Sequence, residues 1–491
     1  MRLAELLTED DHRAMGSTAE RLEITGLTAD SRRIEAGFLF AALPGTQADG
    51  RDFIDQAVAK GAVAVLAPSG TQIKRYDPPV LLIQDPEPRR RLALMAATLY
   101  KRQPREIAAV TGTNGKTSVA VFVRQIWERL GRKAASLGTL GLTPPRSDAP
   151  AALTTPDPVE LHRCLTALVD DGVDALAMEA SSHGLDQYRL DGVRLTAAAF
   201  TNLSRDHLDY HGTMEAYLAA KARLFTELLP SGGTAVLNAD VPEFEHLYGL
   251  CTARGQRILT YGRNGRDLSL RNLAAMPTGL ELQLEFGGKE YDVSLRLAGA
   301  FQAHNLLAAI GLVLAGGAEP AAVLATLPHL TGVPGRVEPV GATPAGGHVY
   351  VDYAHTPDAL AVVLQAVRPH ATGRLWVVFG AGGDRDPGKR PLMGTAAAAH
   401  ADKAVVTDDN PRSEDPAAIR AQILQACPDA MEVGDRREAI EFALARLDAG
   451  DVLVIAGKGH ESGQIVGNNV LPFDDRDVAR TAIAQLAGGQ T

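Results

Sequence analysis

Three observations predict an α/β fold in three domains. The chain of 491 residues is longer than a single hydrophobic core keeps growing, so about two to four domains are expected. Short apolar runs alternate with helical patterns through most of its length, which implies parallel sheets with helices on their faces. The stretch "TGTNGKTS", Thr111 to Ser118, falls between a strand pattern and a helix pattern, where α/β proteins place phosphate loops.

The first region, residues 1–86, contains "DSRRIEAGFLFAALPGTQADGRDFIDQAVAKGAVAVL". It reads as short strands, a glycine-rich loop and a helix ending in "KGAVAVL", a small α/β unit. The second, residues 87–333, holds strand candidates "REIAAVTG", "DALAMEASS", "AAAFTNLS" and "TAVLNAD". The helical patterns "PVELHRCLTALVDDG" and "MEAYLAAKARLFTELL" lie between them. The helix after the loop carries Val119, Phe122, Val123, Ile126 and Leu130 at helical spacing. A more polar, β-leaning insertion spans about residues 257 to 296, ahead of the helix "NLLAAIGLVLAGG". "TGVPGRVEPV" has the Gly/Pro density of a linker or domain entry. The third region, residues 334–491, has strands "HVYVDYA", "RLWVVFGAGG", "KAVVTDD" and "DVLVIAGKG" with helices between, resembling a doubly wound sheet. In such sheets the functional loops follow the carboxyl ends of strands. Here those loops are "HTPDAL", "GGDRDPGKR", "DNPRSEDP" and "GKGHE", rich in charge and glycine.

Composition narrows the function classes. The chain is 45% hydrophobic and 22% charged, as in soluble globular proteins. Its start, "MRLAELLTEDDHRAMG", is acidic where a secretory signal would be apolar. The absence of an uninterrupted apolar run of about 18 residues argues against a membrane span. Cys164, Cys251 and Cys427 are far apart and form no C-x-x-C pair, so reduced thiols in a cytoplasmic protein are expected. A net charge of −10 argues against a nucleic-acid surface, yet leaves room for a local anion site.

Backbone amides of Gly112, Thr113, Asn114 and Gly115 leading into a helix N-terminus form an anion cradle, to which Lys116 adds a full charge. Thr117 supplies a hydroxyl suited to Mg²⁺, and Ser118 closes the motif. The spacing departs from the usual loop, since Val110 stands where the first glycine would be. Glu179 ends an apolar strand, where a carboxylate is costly unless paired or coordinated. "TNLSRDHLDYH" gathers Asp206, His207, Asp209 and His211. It reads as a zinc site, a polar loop, or, beside a nucleotide loop, a magnesium role for His207. Lys221, in "YLAAKARLF", reads by itself as a lysine snorkelling from a surface helix.

Taken together, "GTNGKTS", "MEASSHGLDQYR", "TNLSRDHLDYHGTMEAYLAAK", His304-Asn305, "GRVE", "VDYAHTPDAL", "GGDRDPGKRPLMG", "DNPRSEDP" and "GKGHE" resemble the Mur ligases. These are ATP-dependent amino-acid ligases of peptidoglycan precursor synthesis. The motifs occur in order over nearly the whole chain, and they look most like the member that adds the third peptide residue.

The resemblance implies an N-terminal domain for a uridine nucleotide, a central ATPase domain and a C-terminal domain for the amino acid. It implies ATP and Mg²⁺, the substrates UDP-N-acetylmuramoyl-L-alanyl-D-glutamate and meso-2,6-diaminopimelate, and an expected monomer. By position it places Lys116, His207 and Lys221 at the reacting centre, and Thr117, Glu179, His207 and a carbamylated Lys221 at the metal. Asn305 would contact adenine, Arg336 the ATP phosphates and Asp352 the ribose. Ser31, Thr46, Gln47 and Ala48 would hold the uridine nucleotide, and Thr154, Thr155, Ser181, Gln187 and Arg189 the muramoyl-dipeptide. Leu153 stands where many members have asparagine. Arg385, Asp409, Asn410, Pro411, Arg412, Gly457 and Glu461 would grip the amino acid. A lysine-adding ligase of the same family and a folylpolyglutamate synthase are the alternatives. Outside that chemistry stands a nucleotide-binding regulator lacking ligase activity.

Overall fold

A computed structural model describes residues 1–11, 17–45, 48–147, 153–276 and 279–488. The chain packs as two compact units, Met1–Thr260 with Ala308–Glu319, and Tyr261–Leu307 with Pro320–Thr491.

The first unit contains two sheets. The N-terminal one has four parallel strands in the order β1 (Gly26–Thr28), β2 (Phe38–Ala41), β3 (Ala64–Pro68) and β4 (Leu81–Asp85). Sequence reading expected a helix running into "KGAVAVL". The helix instead ends at Ala59, and the alanine-valine run becomes β3. Gly61, at φ +104°, breaks the helix in the left-handed conformation that glycine tolerates best. Ser31 follows the carboxyl end of β1 and the loop to Ala48 follows that of β2, so adjacent strands deliver both segments to one sheet edge.

The second sheet of this unit runs β10 (Thr234–Asn238), β9 (Ala197–Phe200), β5 (Glu106–Thr111), β8 (Ala175–Glu179), β6 (Ala134–Gly138) and β7 (Gly141–Thr143). All its pairings are parallel except β6 with β7. Strands β5, β6, β8 and β9 are wholly buried, as continuous apolar runs between helical layers should be. Because β5 lies between β8 and β9, the phosphate loop leaves the sheet between Glu179 and Thr201.

The helix Met214–Arg223 starts at Thr213, whose hydroxyl accepts the amide of Ala216 at 3.2 Å. The sequence predicts one continuous helix to Leu229. The structure instead widens into a π turn at Leu224–Leu228, which brings the consecutive Leu224 and Phe225 both into the core. Such turns often accompany functional sites. Since this helix presents Tyr217 and Lys221, its cap bears on the site. Thr213→Ala is expected to destabilise the chain by about 1 kcal/mol, read as a lower urea midpoint at unchanged slope.

The second unit holds an antiparallel meander, β12 (Leu268–Met276), β13 (Gly279–Phe286) and β14 (Lys289–Leu295), reached through β11 (Arg257–Gly262). Its main sheet runs β15 (Glu338–Ala342), β16 (His348–Asp352), β20 (Val452–Ala456), β17 (Leu375–Phe379), β18 (Lys403–Val406) and β19 (Met431–Glu432). All its pairings are parallel except β15 with β16. A hairpin, β21 (Gly463–Val466) with β22 (Asn469–Pro472), follows β20. Strands β16, β20, β17 and β18 are successive neighbours, so Asp352, "GKGHE", "GGDRD" and "DNPR" emerge side by side at one edge.

Candidate active site

At the phosphate loop the backbone requires its glycines. Gly112 has φ +147°, and a Cβ there would run into the Thr201 hydroxyl. Gly115 caps the helix Lys116–Arg129 at φ +91°. The loop is tied to the start of the next strand's loop: Thr113 N donates to Asn202 O at 2.8 Å, and Thr201 Oγ1 to Asn114 O at 2.6 Å. Lys116 Nζ folds back over the loop and donates to Gly112 O and Thr113 O, both at 2.9 Å.

Lys221 meets the same loop from the other side. Its Nζ donates to Gly112 O at 2.8 Å and lies 4.2 Å from the Tyr217 ring centroid, and the residue is 1% exposed. The solvent-exposed lysine of a surface helix is therefore not what the fold makes of this position. Burial, and then the neighbouring Lys116 charge, push the Lys221 pKa down to about 6, against a smaller opposing pull from Asp206. At neutral pH the amine is largely unprotonated.

Glu179, 1% exposed at the end of β8, accepts the amide of Thr139 at 2.8 Å and its hydroxyl at 3.2 Å. A Cβ at Gly138 would occupy the carboxylate's space. The backbone carbonyl of Glu179 accepts the Thr155 hydroxyl at 3.0 Å. That hydroxyl accepts in turn from Ser181 N at 3.0 Å and Ser181 Oγ at 3.1 Å. Arg189 donates to Thr155 O and to Gln187 Oε1, both at 2.8 Å. Thr154 Oγ1 lies 3.0 Å from Thr139 Oγ1. The five residues expected to hold a dipeptide are thus one hydrogen-bonded patch, with half-exposed Leu153 beside it in sequence.

His207 sits in the left-handed region at φ +53°, with Nε2 3.6 Å from Asp206 Oδ2. Its ring is 4.9 Å from that of His183 and 6.2 Å from that of Tyr217. Among the described residues no group of three or more His, Cys, Asp or Glu is arranged to hold a metal, and the side chain of Asp209 lies outside them.

On the N-terminal sheet, Ser31 is buried and donates to Gln56 Oε1 at 2.9 Å. Ala48 O accepts the amide of Gly45 at 3.0 Å. Thr46 and Gln47 lie outside the described residues.

Asn305, Arg336 and Asp352 belong to the second unit. Asn305 is buried and donates to Gln302 Oε1 at 3.0 Å. The Arg336 guanidinium lies 4.9 Å from the Tyr353 ring centroid. Burial raises the Asp352 pKa, although Arg336 and the amides of Ala354 and Val337, each at 2.7 Å, oppose it.

The loops after β18 and β20 interlock. Arg412 has φ +51° and is held by backbone on both sides, with its N–H to Ile465 O at 3.1 Å and its carbonyl accepting from Gly467 N at 2.7 Å. Its Nη1 donates to Gly383 O at 2.7 Å, drawing the loop that carries exposed Arg385 towards it. Asn410 Nδ2 donates to Glu461 Oε2 at 3.2 Å. Gly457, at φ +122°, passes so close to Asp409 that a Cβ would lie 3.1 Å from its carboxylate. Pro411 follows in the same loop, and Glu414 N donates to its carbonyl at 3.1 Å.

Three segments match described families: residues 23–104 the Mur ligase family catalytic domain, 110–313 the Mur ligase middle domain, and 335–459 the Mur ligase glutamate ligase domain. The UDP-N-acetylmuramoyl-L-alanyl-D-glutamate--2,6-diaminopimelate ligase of Caulobacter vibrioides is 55% identical over 458 residues, 92% of this chain and 94% of its own. The ligase of the same name from Bradyrhizobium diazoefficiens is 52% identical, with 99% of each chain covered. The chain belongs to the Mur ligase family. A solved structure of a UDP-N-acetylmuramoyl-L-alanyl-D-glutamate--2,6-diaminopimelate ligase superposes with a TM-score of 0.75 at 35% identity, covering 99% of both chains. The Mur ligase architecture of three successive α/β domains is therefore present throughout. At 18% identity, a Thermotoga maritima MurF structure shares the fold, with a TM-score of 0.61.

In this Mur ligase chain the donor set around the phosphate loop suits magnesium. A threonine hydroxyl and a buried carboxylate are hard oxygen ligands, and Glu179 is a carboxylate kept at a buried strand end with only Thr139 donating to its oxygens among the described contacts. Sequence reasoning missed Thr139, Tyr217 and Lys458. Thr139 meets Glu179, and the Tyr217 hydroxyl lies 3.3 Å from that of Thr113, both partners distant in sequence. Lys458, between two glycines after a buried strand, could have been suspected from that setting alone.

Proposed function

We propose that the chain joins meso-2,6-diaminopimelate to UDP-N-acetylmuramoyl-L-alanyl-D-glutamate with ATP. The observation that carries this is identity of 52–55% over 92–99% of the chain to ligases bearing that name. The uridine nucleotide is assigned to residues 1–86, the ATP chemistry to 87–333 and the amino acid to 334–491, in a cytoplasmic monomer.

A carboxylate is a poor electrophile, so the γ-carboxylate of D-glutamate takes the terminal phosphoryl group of ATP, releasing ADP. The free amine of diaminopimelate attacks the resulting acyl phosphate, and phosphate leaves as the amide forms. Lys116 and the amides of residues 112–117 hold the phosphates and offset charge in the transition state. Asn305, Arg336 and Asp352 serve the adenine, phosphates and ribose. Ser31 with residues 46–48 holds the uridine nucleotide, and the Thr155–Ser181–Arg189 patch holds the dipeptide. Thr117, Glu179, His207 and carbamylated Lys221 would hold Mg²⁺, which supplies Lewis-acid stabilisation of phosphoryl oxygens. Lys221 fits that role because burial leaves it neutral, the form that reacts with CO₂.

The decisive experiment mixes the protein with UDP-dipeptide, Mg-ATP and a panel of amino acids, and weighs the product. Ligation should require all three substrates and favour diaminopimelate. Phosphate release without the joint requirement would indicate another activity.

Two outcomes are expected at Lys221. With ¹³C-bicarbonate, a carbamate resonance should be present at pH 8 and vanish on acidification through about pH 6, because protonation of the amine removes the nucleophile. Carbon NMR of wild type against Lys221→Ala reads it. Lys221→Ala should also lose activity and regain part of it with short-chain carboxylates. Full activity of the alanine variant would refute the role.

A further inference from the structure

Lys458 is 0% exposed, and a buried ammonium is costly unless acceptors surround it. It has three. Nζ donates to Asn410 Oδ1 at 2.7 Å and to Gly463 O at 3.0 Å, and lies 3.3 Å from Asp409 Oδ1. The backbone amide of Ile465 donates to the same Asn410 oxygen at 2.9 Å. Two donors converge on one atom of the Asn410 amide, so that atom must be the oxygen. The NH₂ group is thereby turned towards Glu461, 3.2 Å from its Oε2.

We infer that Lys458 is a positioning residue for amino-acid selection: it fixes the orientation of Asn410, and Asn410 aims the Glu461 carboxylate. The inference rests on the reading that Asn410 and Glu461 receive the amino acid. Strand β21 supports the relay. Gln464 Nε2 donates to Asp409 O at 2.7 Å, and the backbone of residues 465–467 holds both sides of Arg412. Lys458 also offsets the buried Asp409 charge. The nearby Arg436 is committed to Asp475 through two bonds of 2.7 Å. Without Lys458, only the Ile465 amide still holds the Asn410 oxygen, so the orientation is set less firmly, and an oxygen turned towards Glu461 would repel the carboxylate.

The test is a double-mutant cycle on the full chain with Lys458→Met and Glu461→Gln, measured with UDP-dipeptide, Mg-ATP and diaminopimelate. Lys458→Met should raise the KM for diaminopimelate about tenfold or more, as for loss of a charge-assisted bond. The KM values for ATP and UDP-dipeptide should stay within about twofold. In the Glu461→Gln background, Lys458→Met should add less than about twofold, since both act through one contact. Additive effects, or equal losses for all three substrates, would overturn the relay. If Lys458→Met does not fold, Lys458→Gln, which keeps a donor but no charge, enters the same cycle, and additivity there counts equally against it. Wild-type enzyme that ligates a different amino acid would overturn the substrate reading alone, because the cycle can be run with whichever amino acid is accepted.

Discussion

Lys116→Ala is expected to lower turnover by about 10³-fold, the upper range for removing one preorganised transition-state donor, while the Kd for UDP-N-acetylmuramoyl-dipeptide changes less than about twofold. The lysine ammonium lies over the phosphate loop with two carbonyl contacts from Gly112 and Thr113, where it adds a full charge to a cradle of amides. The residues assigned to the uridine nucleotide stand on a different sheet, at the ends of β1 and β2. A second effect acts in the same direction. Lys116 is one of the causes that lower the Lys221 pKa, so its removal moves Lys221 back towards the charged form and away from reaction with CO₂. Coupled ADP release measures turnover, and calorimetric titration measures nucleotide binding. A folded variant that no longer binds the UDP-substrate would show that the division of labour between the two sheets is wrong.

Arg412→Ala is expected to raise the KM for diaminopimelate by about 2–5 kcal/mol, the range for truncating one partner of a desolvated charge pair, with little change for ATP. Diaminopimelate and lysine differ by one carboxylate at the distal end, and a guanidinium fork matches that group. Lysine leaves the fork unpaired and brings an ammonium near it, so attraction is lost and repulsion gained. The structure adds a reason for precision: Arg412 is held at φ +51° by two backbone bonds and its Nη1 is anchored on Gly383 O. A guanidinium restrained in this way has little freedom to accommodate another ligand. Steady-state kinetics with both amino acids checks it. Wild-type enzyme that used lysine as well as diaminopimelate would refute this role for Arg412.

Much of the fold was readable from sequence because the signals were local. The strand "REIAAVTG", its glycine loop and the following helix are set by a short apolar run, two left-handed glycines and helical spacing. The loops "DNPR" and "GKGHE" follow apolar runs that are buried strands, so their place at a sheet edge follows from the architecture. Lys221 was not readable from its own window. "YLAAKARLF" is compatible with a surface helix, and its burial comes from the Gly112 loop, 109 residues away. The partnership of Glu179 with Thr139 spans 40 residues and depends on β6 lying beside β8. The π turn after Arg223 escaped because periodicity cannot distinguish a helix that continues from one that widens.

Glu179 has one further consequence. Its side chain faces Thr139, on the side assigned to the metal, while its carbonyl anchors Thr155 and through it Ser181 and Arg189. One residue at the end of β8 therefore sets the datum for two sets of ligands. A chimera that imported another family member's dipeptide patch while keeping this chain's β8 would inherit two mismatched reference frames. The transferable module is thus β8 together with residues 154–155 and 181–189, and engineering that cuts inside it should lose phosphoryl transfer and peptide recognition together.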